Sequence, residues 1–87
     1  MKINENYLLT SVSRALIILL VNYYDTGQLV LERMRKGMTQ SEVAAEAGLS
    51  VGSVHAVENG AQWKKAIRKM ARVLGISIPF IEKRRRA

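Results

Sequence analysis

Residues 40–60 restrict the fold more than any other part of the chain. Gly48 divides this stretch into two short segments, with Val43 and Ala44 before it and Val54 and Val57 after it. Two short helices that cross closely need a very small residue at the crossing, and Ala44 supplies one. The turn between them needs a positive backbone φ, which glycine adopts without a Cβ penalty. Val43, Ala47, Leu49, Val54 and Val57 then fall where the two helices meet a core. A generic helical hairpin would share the apolar spacing, but not Ala44, Gly48, Val54 and the Asn59-Gly60 ending at these offsets together.

Helix boundaries around this stretch follow from local chemistry. Thr39 and Glu42 have the spacing of a capping box, in which each side chain satisfies the other's backbone donor. Ser50 is placed to cap a helix over 51–59 that Gly60 ends, and Gly75 ends another over 64–74. Upstream, Asp25 or Thr26 caps a short helix over 27–36, with Leu29, Val30 and Met34 facing inward and Gly37 as its stop. Residues 78–81 form one further turn.

The first 25 residues carry a different signal. Asn4 can cap a helix from about residue 5 to 24, on which Leu9, Val12, Leu16, Leu19 and Tyr23 make one apolar stripe. Ile17, Ile18 and Val21 make a second apolar surface on the same helix, and Leu16, Ile17, Ile18, Leu20 and Val21 are the candidate dimerisation residues. Such a helix is either wrapped by its own domain or paired with a second copy. In an 87-residue chain with few helices to cover it, the homodimer is the favoured expectation. The expected architecture is an all-α, compact domain of five to six helices. It consists of an N-terminal hydrophobic helix (1–25), a core (26–76) and a basic tail (77–87) that includes Lys83, Arg84, Arg85 and Arg86.

Charge and composition limit the chemistry. There is no cysteine and His55 is the only histidine, which argues against thiol catalysis, disulfides and a metal centre. Asp25, Glu42, Glu46 and Glu58 form no convincing acid/base pair, so no enzymatic activity and no cofactor are expected. The apolar run at 15–21 is far shorter than the roughly 20 residues that cross a bilayer. No cleavage site follows it, so neither a membrane anchor nor a signal peptide is expected, and the cytoplasm is the default location. The net charge of +7 is concentrated: residues 61–87 hold nine basic residues against one acidic. Concentrated positive charge points to a polyanionic partner. Lys65, Arg68 or Lys69, and Arg72 share one face of the 64–74 helix, with Ile67, Met70, Ala71 and Leu74 on the other.

The stretch from 29 to 76 resembles the lambda-repressor-like family, also called the Cro/repressor or XRE helix-turn-helix family. Met38-Thr39-Gln40, Val43-Ala44, Gly48-Leu49-Ser50, Val54 and Val57-Glu58-Asn59-Gly60 carry the resemblance. Trp63 stands where family members often have a proline, and residues 1–25 match nothing in the family pattern. The resemblance implies an all-helical domain that binds duplex DNA, usually as a symmetric dimer on a palindromic operator, with 51–59 as the recognition helix. It implies base-facing roles for Val51, Gly52, His55 and Ala56, and phosphate contacts from Gln40, Ser50, Ser53 and Asn59. Lys64 and Lys65 follow directly and are the nearest basic additions. Base-facing side chains this small favour packing on thymine methyls and shape readout over paired hydrogen bonds. The expected function is a small repressor of phage, plasmid or bacterial origin. The alternative is an antitoxin that autoregulates its operon and binds a toxin partner.

Overall fold

The structure is a computed structural model that describes residues 22–84. In chain order these form β1 (Asn22–Tyr24), α1 (Gly27–Arg35), α2 (Gln40–Ala47), α3 (Val51–Glu58), α4 (Lys64–Leu74), α5 (Ile78–Ile81) and β2 (Glu82–Arg84). Leu16, Ile17, Ile18, Leu20 and Val21, and with them most of the expected N-terminal helix, lie outside the described residues.

The helices begin and end for the reasons the sequence supplies. At α2 the capping box is complete: Glu42 N donates to Thr39 Oγ1 at 3.1 Å, and Thr39 N donates to Glu42 Oε1 at 2.8 Å. Gly48 and Gly75 both adopt left-handed conformations, with φ of 68° and 72°, and turn the chain out of α2 and α4. A Cβ at either would meet open space, so the backbone conformation alone selects glycine there. Pro79 sits in the first turn of α5, where its missing N–H costs no helical bond.

The core is assembled on α4. Ala66, Ile67, Met70, Ala71 and Leu74 are all buried along one side of it, at the i, i+3, i+4 spacing of a single apolar stripe. Tyr24 from β1, Leu29 from α1, Val43 and Ala44 from α2, Val54 and Val57 from α3, and Ile81 from α5 complete the cluster. Leu49 packs at its margin, and α2 rests on both α3 and α4. No helix among the described residues is long and apolar enough to cross a membrane.

Three expectations are corrected. Residues 22–24 are a strand and not the end of a helix. β1 pairs antiparallel with β2 in the register Asn22 to Arg84, Tyr23 to Lys83 and Tyr24 to Glu82, so the fold is mostly but not wholly helical. Two adjacent tyrosines suit an extended, half-buried strand: Tyr24 is 4% exposed in the core while Tyr23 points out. The same pairing makes Lys83 and Arg84 part of a strand where a basic tail was expected, with Asp25 N donating to Ile81 O at 2.7 Å to begin the ladder.

Third, Met34 is 63% exposed and not inward-facing. Leu29 and Arg33, four residues apart, take the inner face of α1, which turns Leu31 and Met34 to solvent. α1 also starts without a side-chain cap. Thr26 is at the N-cap position but has a helical ψ of −17°, and its hydroxyl makes no capping bond.

Gln62 closes the other edge of β1. Tyr24 N donates to Gln62 Oε1 at 2.6 Å, and Gln62 Nε2 donates to Tyr24 O at 2.9 Å. One side-chain amide thus takes the place of a third strand, satisfying both backbone groups of a buried residue.

Truncating Ile67 to alanine is expected to cost about 2–5 kcal/mol, seen as a lower urea midpoint at unchanged slope. Leu31→Ala should change that midpoint by the equivalent of less than about 0.5 kcal/mol.

Candidate nucleic-acid interface

The two helices of the motif are held at both ends. Gly48 N–H reaches back to carbonyls of α2, and Leu49 N donates to Ala44 O at 2.8 Å, which fixes the turn. Ser50 then starts α3: its hydroxyl accepts from Ser53 N at 3.1 Å and lies 2.9 Å from Ser53 Oγ. Val54 and Val57 are fully buried beneath α3. The opposite face, formed by Val51, Gly52, His55 and the following Asn59, is exposed. Val51 keeps 45% of its surface in solvent. Ala56 lies at the edge of this face and is half-buried.

A hydrogen-bonded ion pair ties the interface to the rest of the domain. Arg33 on α1 grips Glu58 at the end of α3 with two bonds, Nε to Oε2 at 2.5 Å and Nη2 to Oε1 at 3.0 Å. Its third donor, Nη1, reaches Met38 O at 2.8 Å in the turn before α2. Gln40 Nε2 also donates to Glu58 Oε1, at 2.9 Å. The Glu58 side chain is only 6% exposed. Burial on its own raises the pKa of this carboxyl. The hydrogen bonds from Arg33 and Gln40, with the charges of Arg33 and His55, outweigh that and hold it below the ordinary value. Glu42 is shifted the same way by the backbone N–H and hydroxyl of Thr39.

The residues expected at phosphates are distributed around this face with local bonds of their own. Gln40 is half-buried and engaged with Glu58. Ser50 is exposed, Ser53 is half-buried, and the two bond each other. Asn59 is exposed and its Nδ2 donates to His55 O at 2.8 Å, closing the end of α3. Lys64 and Lys65 are exposed at the start of α4. Farther along α4, Arg68, Lys69 and Arg72 are exposed too, opposite the buried stripe.

Two residues matter here that motif reading passed over, Arg33 and Gln62, and a third, Glu58, belongs to the motif but has a role that the motif does not reveal. Arg33 was detectable in principle, because it lies one helical turn after Leu29 and must share its inward face. Glu58 carries a charge that local reasoning assigns to the surface; only the approach of α1 gives it a buried partner. Gln62 has no sequence signal, since its role depends on β1 arriving beside it.

Glu58→Ala should destabilise the domain by about 3 kcal/mol because it leaves Arg33 half-enclosed without its anion. Converting both residues to methionine should recover most of that loss. The pH dependence has a definite sign. A carboxyl with a depressed folded-state pKa stabilises fully above its ordinary value of 4.5 and loses that contribution as pH falls through the folded-state value. The urea midpoint should therefore drop in acid, and Glu58→Gln should flatten the drop without abolishing it, because Glu42 titrates in the same direction.

A family model described as helix-turn-helix matches residues 31–81, more than half of the chain. No curated protein matches the chain significantly.

Proposed function

The chain belongs to the Cro/C1-type helix-turn-helix family, and from that premise we propose that it is a duplex-DNA-binding transcriptional repressor. In this reading it acts as a homodimer on a palindromic operator and α3 enters the major groove. The observation that carries the reading is the division of α3 into a fully buried side, Val54 and Val57, and an exposed side, Val51, Gly52 and His55. A helix held this firmly from beneath presents its outer face in one orientation.

The roles follow from what each side chain can do. Val51 packs on thymine methyl groups, and Gly52 lets the helix backbone approach the base edges closely. His55 donates to or accepts from a base edge, and Ala56 adds a small apolar contact at the margin. Ser50, Ser53, Asn59, Lys64 and Lys65 hold phosphates, which sets register and supplies affinity without reading sequence. Gln40 joins them through its second amide hydrogen, since the first is engaged by Glu58. Pairing of subunits rests on the apolar run at 15–21 in the sequence. A dimer bound across an operator represses by excluding polymerase.

Selection of bound duplexes from a random pool tests the reading directly. A symmetric site with thymines at matched half-site positions is the expected product; an asymmetric one would remove the dimer. Four phosphates neutralised per subunit predict a log affinity that falls with log salt at a slope near about −7. A slope near about −2 would take the basic helix out of the interface. Uracil in place of thymine throughout the selected site should weaken binding if Val51 packs on the methyls.

A further inference from the structure

The only tryptophan of the chain is not used in the core. Trp63 is 53% exposed, in a domain whose buried cluster holds a single aromatic residue among those described, Tyr24. An indole is the largest apolar group available to a small protein, and burying it would contribute more to stability than any other side chain here. Its position is nevertheless well defined. The preceding residue, Gln62, is anchored through its side chain to both backbone groups of Tyr24. Trp63 itself is extended, at φ −85° and ψ 98°, and it stays more than half exposed directly after that clamp.

What surrounds Trp63 in the chain identifies the kind of surface it meets. It stands between the end of α3, marked by the exposed Asn59, and the start of α4, where Lys64 and Lys65 are exposed. Arg68, Lys69 and Arg72 continue the exposed side of α4, and α4 contains no acidic residue. An exposed aromatic ring that directly precedes two exposed lysines and a helix with a basic outer side complements a surface with apolar sugar faces and regularly spaced phosphates. Indole Nε1–H is a donor without acceptor capacity, which suits a phosphate oxygen.

We propose that Trp63 is a DNA-backbone contact: its ring packs against a deoxyribose beside the groove occupied by α3, and its Nε1–H donates to a neighbouring phosphate. This rests on the DNA-binding reading given above. The contact positions the protein on any duplex and carries no base preference, because sugar and phosphate are the same at every step. It also differs in kind from the lysine contacts, since an uncharged ring displaces no counterion.

Trp63 being the sole tryptophan, its emission can be read beside the anisotropy of a fluorescein-labelled duplex of mixed sequence. Titrating the full chain should raise the anisotropy and quench or shift the emission along the same curve. Trp63→Ala should weaken binding about tenfold on every sequence and leave the salt slope unchanged, whereas Lys65→Ala should reduce the slope by about one. Trp63→Phe, which keeps a ring and loses the N–H, should lie between wild type and alanine. Circular dichroism should be unaltered in these variants, because Trp63 is not a member of the buried cluster.

Rising anisotropy with unchanged emission, and a Trp63→Ala variant that binds normally, would overturn the contact and leave DNA binding standing. No anisotropy change at low salt would overturn both. An emission shift produced by vesicles of anionic phosphatidylglycerol but not by duplex would overturn the contact and assign the ring to a lipid surface.

Discussion

The orientation of α3 depends on the bidentate pair between Arg33 and Glu58. Without it the domain would rest on small and medium apolar side chains, which pack in several neighbouring arrangements at similar energy. The guanidinium accepts far fewer. Its donors reach Glu58 and the Met38 carbonyl together, and Gln40 closes on the same carboxylate. One side chain from α1 thereby joins the turn before α2, the first residue of α2 and the last residue of α3. A buried pair of this kind brings little net stability over an apolar replacement, but its directionality excludes alternatives. For a helix proposed to meet a groove in one pose, directionality is the more useful property.

Gln62 performs a related task just beyond the same end of α3. By completing the edge of β1 it locks the 61–63 connection to the strand pair and leaves Trp63 and the lysines facing outward. The C-terminal end of α3 is therefore held by one side-chain network and followed by another, one ionic and one amide, each joining residues distant in sequence. Both networks leave the exposed positions proposed to face bases, Val51, Gly52 and His55, outside the core. Scaffold and reading face are separable in this protein.

The economy of the reading face has a consequence for how affinity is divided. A valine, a glycine and a histidine can make few directional bonds to base edges. In the proposed DNA complex, phosphate contacts would supply most of the binding free energy, which agrees with nine basic residues lying beyond residue 60. In the proposed homodimer, two copies on a symmetric site would multiply a modest preference into a usable one.

Much of this was legible in the sequence, and for identifiable reasons. The capping box, Ser50, Gly48, Gly75 and the apolar stripe of α4 act within a few residues of themselves, so local rules were sufficient to place α2, α3 and α4. What local rules could not reach were interactions between distant segments. Tyr23 and Tyr24 continue a helical apolar pattern, and only pairing with Glu82–Arg84 makes them a strand. Met34 has the right spacing for a core position, but Arg33 claims the inner face because Glu58 lies opposite. Glu58 itself looks like surface charge until α1 packs against it. The Gln40-to-Gly60 motif was thus determined by the sequence alone, because its geometry is set by backbone conformation and short-range caps. Its orientation in the domain was decided only by the tertiary structure, because a charge or an amide has no fixed partner until folding brings one within hydrogen-bond reach.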